Sequence, residues 1–365
     1  MQSPASETSG PPSAIRRLLI VRLGSMGDIL HTLPAVTALR NAFPEATIGW
    51  LVEERWAELL CTLAEPRHGS KSPRRPLVDR LHTVDTKKWR NAPFSPQSWE
   101  RIGAGLSELR APKYELVADF QGAARSALLA RLSKAPIVYG ARQPRENVAS
   151  MFYTRQVMTR GLHVVEQNLS LAEAVAEQPL EMPKIELPYD EAAEKHCDDW
   201  LRSEGLSNFV LLNPGAGWGA KQWPAERFGL VAQQLAADGL KALVNFGPGE
   251  QELSQAVETA SAGTATAVSC TLTELISLTR RAKLFIGGDT GPMHLAAALA
   301  IPVVAIFGPT NPARNGPFGT RSIVLRNSLS PTTHARRARP DPGLLEISAA
   351  QVVDAARELL RSLRG

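Results

Sequence analysis

The sequence is poor in cysteine. Cys61, Cys197 and Cys270 lie far apart among 365 residues, with no CxxC pair and no Cys/His cluster. That argues against a disulfide framework or a cysteine-built metal site, and points to a reducing compartment. No apolar run approaches the roughly 20 residues that a membrane-crossing helix needs. The opening stretch, MQSPASETSGPPSA, lacks a basic n-region and an apolar h-region. It reads as a disordered tail over residues 1–14 rather than a secretory signal. Also missing are a D-x-D pair for a metal–diphosphate site and a G-x-S-x-G nucleophile elbow. Neither sign of charge dominates: 41 Lys and Arg against 36 Asp and Glu leave +5. This small excess gives no reason to expect nucleic acid. It suits a phosphate-bearing substrate or an anionic membrane face.

What is present is a pattern of short apolar runs alternating with helical stretches. LLIV, TIGWLVEE, YELVADFQG and PIVYGAR read as strands of a first half, with DILHTLPAVTALRNAF and ARSALLARLS as helices between them. Strands alternating with helices predict βαβ units and a parallel sheet. EQPLEMPKIELPYD has no periodicity and reads as a linker near 178–190. The pattern then restarts. NFVLLNPG, KALVNFGP, AKLFIGGD and PVVAIFGP are strands, each closed by a glycine or aspartate turn. The expected organisation is an α/β protein of two halves, 15–180 and 191–345, with a cleft between them. A serine-capped amphipathic helix at 346–365 is expected to pack back on the first half. The basic, Pro/Gly/Ser-rich stretch EPRHGSKSPRRPLVDR reads as a mobile loop with a solvated face, or as a contact to an anionic membrane.

Candidate chemistry sits in the turns. FIGGDTGPMH places Asp289 at the end of a strand, where α/β sheets bind ligands, with Pro292 at the start of the next helix. The N–H groups of Thr290 and Gly291 then face outward at a positive helix end, a ready anion site. The plain alternatives are a capped helix and, for His294, a packed core histidine. LNPGAGWGAKQWP combines small residues, Ala216 and Gly217, with Lys221, a point charge for a phosphate or a mere surface lysine. Glu250, in NFGPGEQE, accepts from sugar hydroxyls or caps a helix. The first turn, RLGSMGD, is neither GxGxxG nor a Walker loop. It can hold a phosphate, expose Asp28 as a base, or only let the backbone bend.

Five ordered stretches carry a family resemblance: LLIVRLGSMGDILHTLPAVTALRNAFP, WLVEERWAELL, LNPGAGWGAKQWP, FIGGDTGPMHLAAALAIPVVAIFGPTNP and RPDPGLLEIS. Together they resemble glycosyltransferase family 9, the bacterial heptosyltransferases. SMGDILHTLP and WLVEE are most similar to the branch that adds the first heptose to the lipopolysaccharide inner core. The resemblance implies a GT-B architecture, with two Rossmann-like doubly wound domains facing across a cleft. It also implies an ADP-heptose donor in the second domain and a Kdo-lipid A acceptor in the first. No metal or other cofactor is expected, nor a nucleic-acid partner. The expected location is cytoplasmic, peripheral on the inner face of the inner membrane. By matching position, Asp28 is the expected catalytic base of an inverting displacement. Lys221, Ala216, Gly217, Glu250, Asp289, Thr290, Gly291 and His294 are expected to contact the donor. Ser25, Lys87, Lys88, Arg90, Arg125 and Arg145, with Arg142 nearby, are expected to contact the acceptor. Ala216 and Gly217 stand where the family often has two threonines, so backbone N–H groups must serve there. A relative using another nucleotide sugar or acceptor, and a non-catalytic sugar-nucleotide binder, are the competing readings.

Overall fold

The computed structural model describes residues 15–86, 96–333, 335 and 337–362. The expected tail and the cations Lys87, Lys88 and Arg90 lie outside the described residues. The first half forms one parallel sheet in the order β3-β2-β1-β4-β5-β6. Its strands are β1 Arg17–Val21, β2 Thr47–Glu53, β3 Arg80–Val84, β4 Leu116–Asp119, β5 Ile137–Ala141 and β6 Arg155–Val157. The second half repeats that order as β9-β8-β7-β10-β11-β12, again all parallel. Here the strands are β7 Phe209–Asn213, β8 Lys241–Asn245, β9 Ala265–Val268, β10 Leu284–Gly288, β11 Val303–Phe307 and β12 Ser322–Arg326.

The central strands are continuous apolar runs because helices cover both of their faces. In β7, β10 and β11 every residue is buried. Strand order reverses between β1 and β4 and again between β7 and β10. Helices leave toward opposite faces at such a point, and a crevice opens beyond the carboxyl ends of the strands. The Asp28 turn follows β1, the Lys221 loop follows β7 and the Asp289 turn follows β10. All three therefore lie at a crevice mouth.

The halves meet through two helices. Met26–Ala42, from the first half, packs against Gly291–Ala298, from the second. One apolar cluster runs through this contact, from Ile20 and Ile29 past Met26 and Met293 to Phe285. Residues 179–190 form neither helix nor strand. Their backbone is tied at Leu187 and Pro188, whose carbonyls accept from Arg280 at 3.1 and 3.0 Å.

Two expectations change here. The helix Ala349–Ser362 stays on the second half, against the helix Ala225–Ala237 and strands β10 to β12. Val352, Val353, Ala356 and Leu359 belong to the core of that half. Burying each such side chain is worth roughly 1.5–3 kcal/mol for the larger ones, and the second sheet offers the nearest uncovered apolar face. The basic stretch 65–80 is folded around Arg75, which is buried. Arg75 donates to the carbonyls of Val78 at 3.0 Å, Ser70 at 2.7 Å and Pro66. Part of the stretch's positive charge is thus internal, and Arg67 pairs with Glu54.

Candidate active site

In the first half the site is built on the turn between β1 and the helix Met26–Ala42. Ser25 is the N-cap and Asp28 occupies N3. The Asp28 Oδ2 accepts from the Ser25 N–H at 2.9 Å and the Ser25 hydroxyl at 3.1 Å. This reciprocal cap satisfies the open helix end. The other oxygen, Oδ1, is 2.8 Å from Nη2 of Arg22. The Asp28 side chain keeps 31% of its exposure, whereas Arg22 keeps 7%. Burial pushes the Asp28 carboxyl up, but Arg22, the two Ser25 donors and Arg145 outweigh it and hold the carboxyl below its ordinary value. Asp28 is therefore ionised near neutrality. Gln121 braces the turn by accepting from the N–H groups of Leu23 and Gly24 at 3.2 and 3.3 Å.

In the second half Asp289 ends β10 and is 8% exposed. Its Oδ2 meets the Lys221 ammonium at 2.6 Å, and its Oδ1 lies 3.2 Å from His294 Nε2. Burial alone would raise this carboxyl. His294 and Lys221 reverse that and hold it far below the usual carboxylate range. Lys221, expected as a free point charge, is therefore already paired, and it also sits 5.3 Å over the Trp218 ring. Thr290 caps the helix Gly291–Ala298, with Pro292 in its first turn. Ala216 and Gly217 lie in the turn after β7, and among the described residues nothing lies within 4 Å of where a Gly217 Cβ would stand. Glu250 accepts from the Gly247 N–H at 2.8 Å. A Cβ on Gly215 would come within 2.2 Å of the Glu250 carboxylate, which places Glu250 beside the Ala216–Gly217 turn.

The two assemblies share one crevice. A Cβ on Gly27 would stand 2.5 Å from the His294 ring, and one on Gly291 would stand 2.6 Å from the Met26 sulfur. Bare backbone at both positions lets the two helix N-termini meet. His31, one turn beyond Asp28, has its ring centroid 4.1 Å from that of His294. Among the described residues His31 Nε2 and His294 Nδ1 are buried with no hydrogen-bond partner. Burial, then the neighbouring His294 and His163, keep the His31 imidazole well below its ordinary value, hence neutral. A further tie across the halves joins Glu58 to Thr273, through its N–H at 3.1 Å and its hydroxyl at 2.5 Å.

The structure thus brings Ser25, Asp28, Lys221, Asp289, Thr290, Gly291 and His294 to one place. Arg145 faces Asp28 electrostatically from the loop after β5. Arg125 lies farther out and donates to the Thr86 hydroxyl at 3.1 Å. Arg142 is exposed on the same loop as Arg145. Sequence reading missed Arg22, His31 and the buried pair Asn213–Asn245, joined at 2.8 Å under the Gly215 turn. It also missed Asp119, buried at the end of β4 with the Tyr153 hydroxyl at 2.8 Å. For Arg22, Asn213, Asn245 and Asp119, a charged or amide residue closing an apolar strand was the available signal, whereas His31 lies inside a helix and carries none. Among the described residues, no group of three or more His, Cys, Asp or Glu side chains is arranged to hold a metal ion.

Two Rossmann-like sheets with a shared crevice define a GT-B enzyme, and comparison with known proteins agrees. Residues 104–343 match the profile of glycosyltransferase family 9 (heptosyltransferase). Lipopolysaccharide heptosyltransferase 1 of Pseudomonas aeruginosa is 30% identical over 316 residues, covering 85% of this chain and 83% of that protein. Lipopolysaccharide heptosyltransferase 3 of Escherichia coli is 28% identical over 348 residues, 92% of this chain and 97% of that one. Among solved structures, a glycosyl transferase family 9 protein from Veillonella parvula superposes with a TM-score of 0.78 at 25% identity. That match covers 95% of this chain and 98% of the other. The Escherichia coli heptosyltransferase WaaC with ADP gives 0.73 at 28% identity, over 94% and 99% of the two chains. The same enzyme with ADP-2-deoxy-2-fluoro heptose gives 0.71 at 27% identity, over 95% and 99%. The chain belongs to glycosyltransferase family 9 and is a glycosyltransferase.

Proposed function

We propose that the protein is a lipopolysaccharide heptosyltransferase that moves L-glycero-D-manno-heptose from ADP-heptose to a Kdo hydroxyl of Kdo-lipid A. The observation that carries this reading is the approach of Gly27 to His294, which brings the turn that carries Asp28 against the helix end that carries the Asp289–Lys221–His294 cluster. Similarity to a heptosyltransferase crystallised with ADP and with a fluorinated ADP-heptose supports the donor. In the proposed mechanism Asp28 takes the proton of the acceptor hydroxyl as that oxygen attacks the anomeric carbon, and ADP leaves from the opposite face. Lys221 and the N–H groups of Thr290 and Gly291 oppose the charge growing on the diphosphate. Glu250 would receive ribose hydroxyls, a role supported by its nearness to the Ala216–Gly217 turn. Ser25, Arg145, Arg142 and Arg125 suit the carboxylates and phosphates of the acceptor, as do Lys87, Lys88 and Arg90 by sequence. Since that acceptor is a lipid, the enzyme works at the cytosolic face of the inner membrane. Among the described residues no helix is long and apolar enough to cross it.

A second reading, a related transferase with another acceptor such as an already heptosylated core, is supported by the likeness to a protein named lipopolysaccharide heptosyltransferase 3 across 92% of the chain. Incubating the protein with ADP-heptose and other nucleotide sugars, each with Kdo-lipid A or a heptosylated core, separates these readings by product mass. Asp28→Asn should lower turnover by roughly 10²–10⁴-fold, the usual loss for a general base. ADP-heptose affinity should persist. An unchanged rate removes Asp28 from the mechanism.

A further inference from the structure

Arg22 follows β1 directly, yet its side chain is almost wholly enclosed. Its own carbonyl accepts from the Trp50 indole N–H at 3.1 Å, and its N–H donates to the Leu51 carbonyl at 3.2 Å. The backbone is thus pinned on the β2 side. The guanidinium reaches the other way, with Nη1 donating to the Phe120 carbonyl just past β4 and Nη2 holding Asp28. We propose that Arg22 is the positioning residue of the catalytic turn: its guanidinium bridges the Phe120 carbonyl to Oδ1 of Asp28 and so decides which carboxylate oxygen meets the acceptor hydroxyl. This rests on the reading of Asp28 as the base.

The hydrogen-bond count supports the assignment. Oδ2 already takes both Ser25 donors, which use its two lone pairs. Among the described residues Oδ1 takes Arg22 alone and keeps one lone pair, so the incoming hydroxyl is received there. A planar fork with two separate ends suits this task, because one end is spent on Phe120 and the carboxylate cannot swing without breaking the other. The charges around Asp28 come from several elements. Arg22 lies at the end of β1, Arg145 on the loop after β5 and His31 on the next helical turn, while Lys221, Asp289 and His294 form their own cluster on the second half, reached through the His31–His294 contact. Of these, Arg22 is the one drawn in contact with the carboxylate, and it leads the influences that pull its proton affinity down against burial. The same contact that aims the base also blunts it.

The test is the pH dependence of kcat/KM for transfer from ADP-heptose in the Arg22→Gln and Arg22→Lys enzymes. Without the positive charge, burial is opposed only by the Ser25 donors and Arg145, so the acid limb of Arg22→Gln should move up by about one unit or more. Its plateau turnover should fall roughly 10–100-fold, because a misaimed base loses its alignment with the substrate. Arg22→Lys restores the charge but not the fork, so the limb should stay near that of the parent while turnover remains reduced. A folded Arg22→Gln enzyme with an unmoved limb overturns the proposal, whether or not its melting temperature falls, since a merely structural arginine would behave that way. Should Arg22→Gln fail to fold, Arg22→Lys decides: reduced turnover with an unmoved limb supports the bridge, and full parental turnover refutes it. Parental rates in Asp28→Asn would instead defeat the base reading itself, so the two failures are distinguishable.

Discussion

Replacing Gly27 by alanine separates stability from activity. Gly27 is the second residue of the helix Met26–Ala42, and a methyl group there would stand 2.5 Å from His294 Cδ2 and 3.2 Å from Nε2. Carbon atoms pack at about 3.5–4.0 Å, so the methyl group overlaps the ring by roughly 1 Å. His294 has little room to retreat: it is buried, packed edge-to-face on His31 with ring centroids 4.1 Å apart and hydrogen-bonded to Asp289 at 3.2 Å. The halves must part instead. Overpacking of this kind costs typically about 1–3 kcal/mol, a shift of roughly 5- to 150-fold in the population with the halves docked. The helix itself gains, because alanine is favoured over glycine there by roughly 0.5–1 kcal/mol. Gly27→Ala should therefore melt no lower than the parent in the first half. It should transfer heptose more slowly, by up to that factor, and show a larger radius of gyration in small-angle scattering. Parental kcat/KM together with an unchanged scattering curve would refute the claim that Gly27 lets the two helix ends meet.

Other perturbations bear on the second half and on pH. Lys221→Ala removes the partner of a buried carboxylate, which typically costs about 3–5 kcal/mol; here the lysine keeps 15% exposure, so the loss should fall at the lower end. It should weaken ADP binding in calorimetry. Adding Asp289→Asn should recover much of the melting temperature but not the affinity, and recovery of neither contradicts the pairing. His31 and His163 are both held below the ordinary imidazole value of 6.5, first of all by burial. Protonation is thus disfavoured in the folded state, and stability is lost as pH falls below that ordinary value. Each such histidine contributes at most about 1.4 kcal/mol per pH unit. Melting curves from pH 7.5 to 5.5 should fall less steeply for His31→Gln than for the parent, and equal slopes would count against the histidine contact as the sensor.

Much of the fold was legible because the central strands are buried on both faces and leave unbroken apolar runs. LLIV, FVLLN, LFIGG and VVAIF each mark a strand directly. The four strands that sequence reading passed over, β3, β6, β9 and β12, are the four sheet edges. RLHTV, RQV, ATAV and SIVLR pair on one side only, so nothing forces them to be uniformly apolar. The tail helix showed its amphipathic stripe in sequence, but a stripe names no partner. Which sheet it covers depends on which apolar face lies within reach after the chain has folded.

The site divides in the same way. Its chemistry was written locally: an acid at the start of one helix, an Asp-Thr-Gly turn before another, a lysine after a glycine-rich loop. Residue types and spacing within a turn depend on near neighbours, so they can be read along the chain. What only the tertiary structure decided is how those turns combine. Lys221 turned out to be matched to Asp289, 68 residues away, and Arg22 to reach across to Phe120, 98 residues away. Gly27 and Gly291 became a docking point rather than two flexible links. Such pairings are set by the packing of whole sheets and helices, which no short stretch of sequence contains.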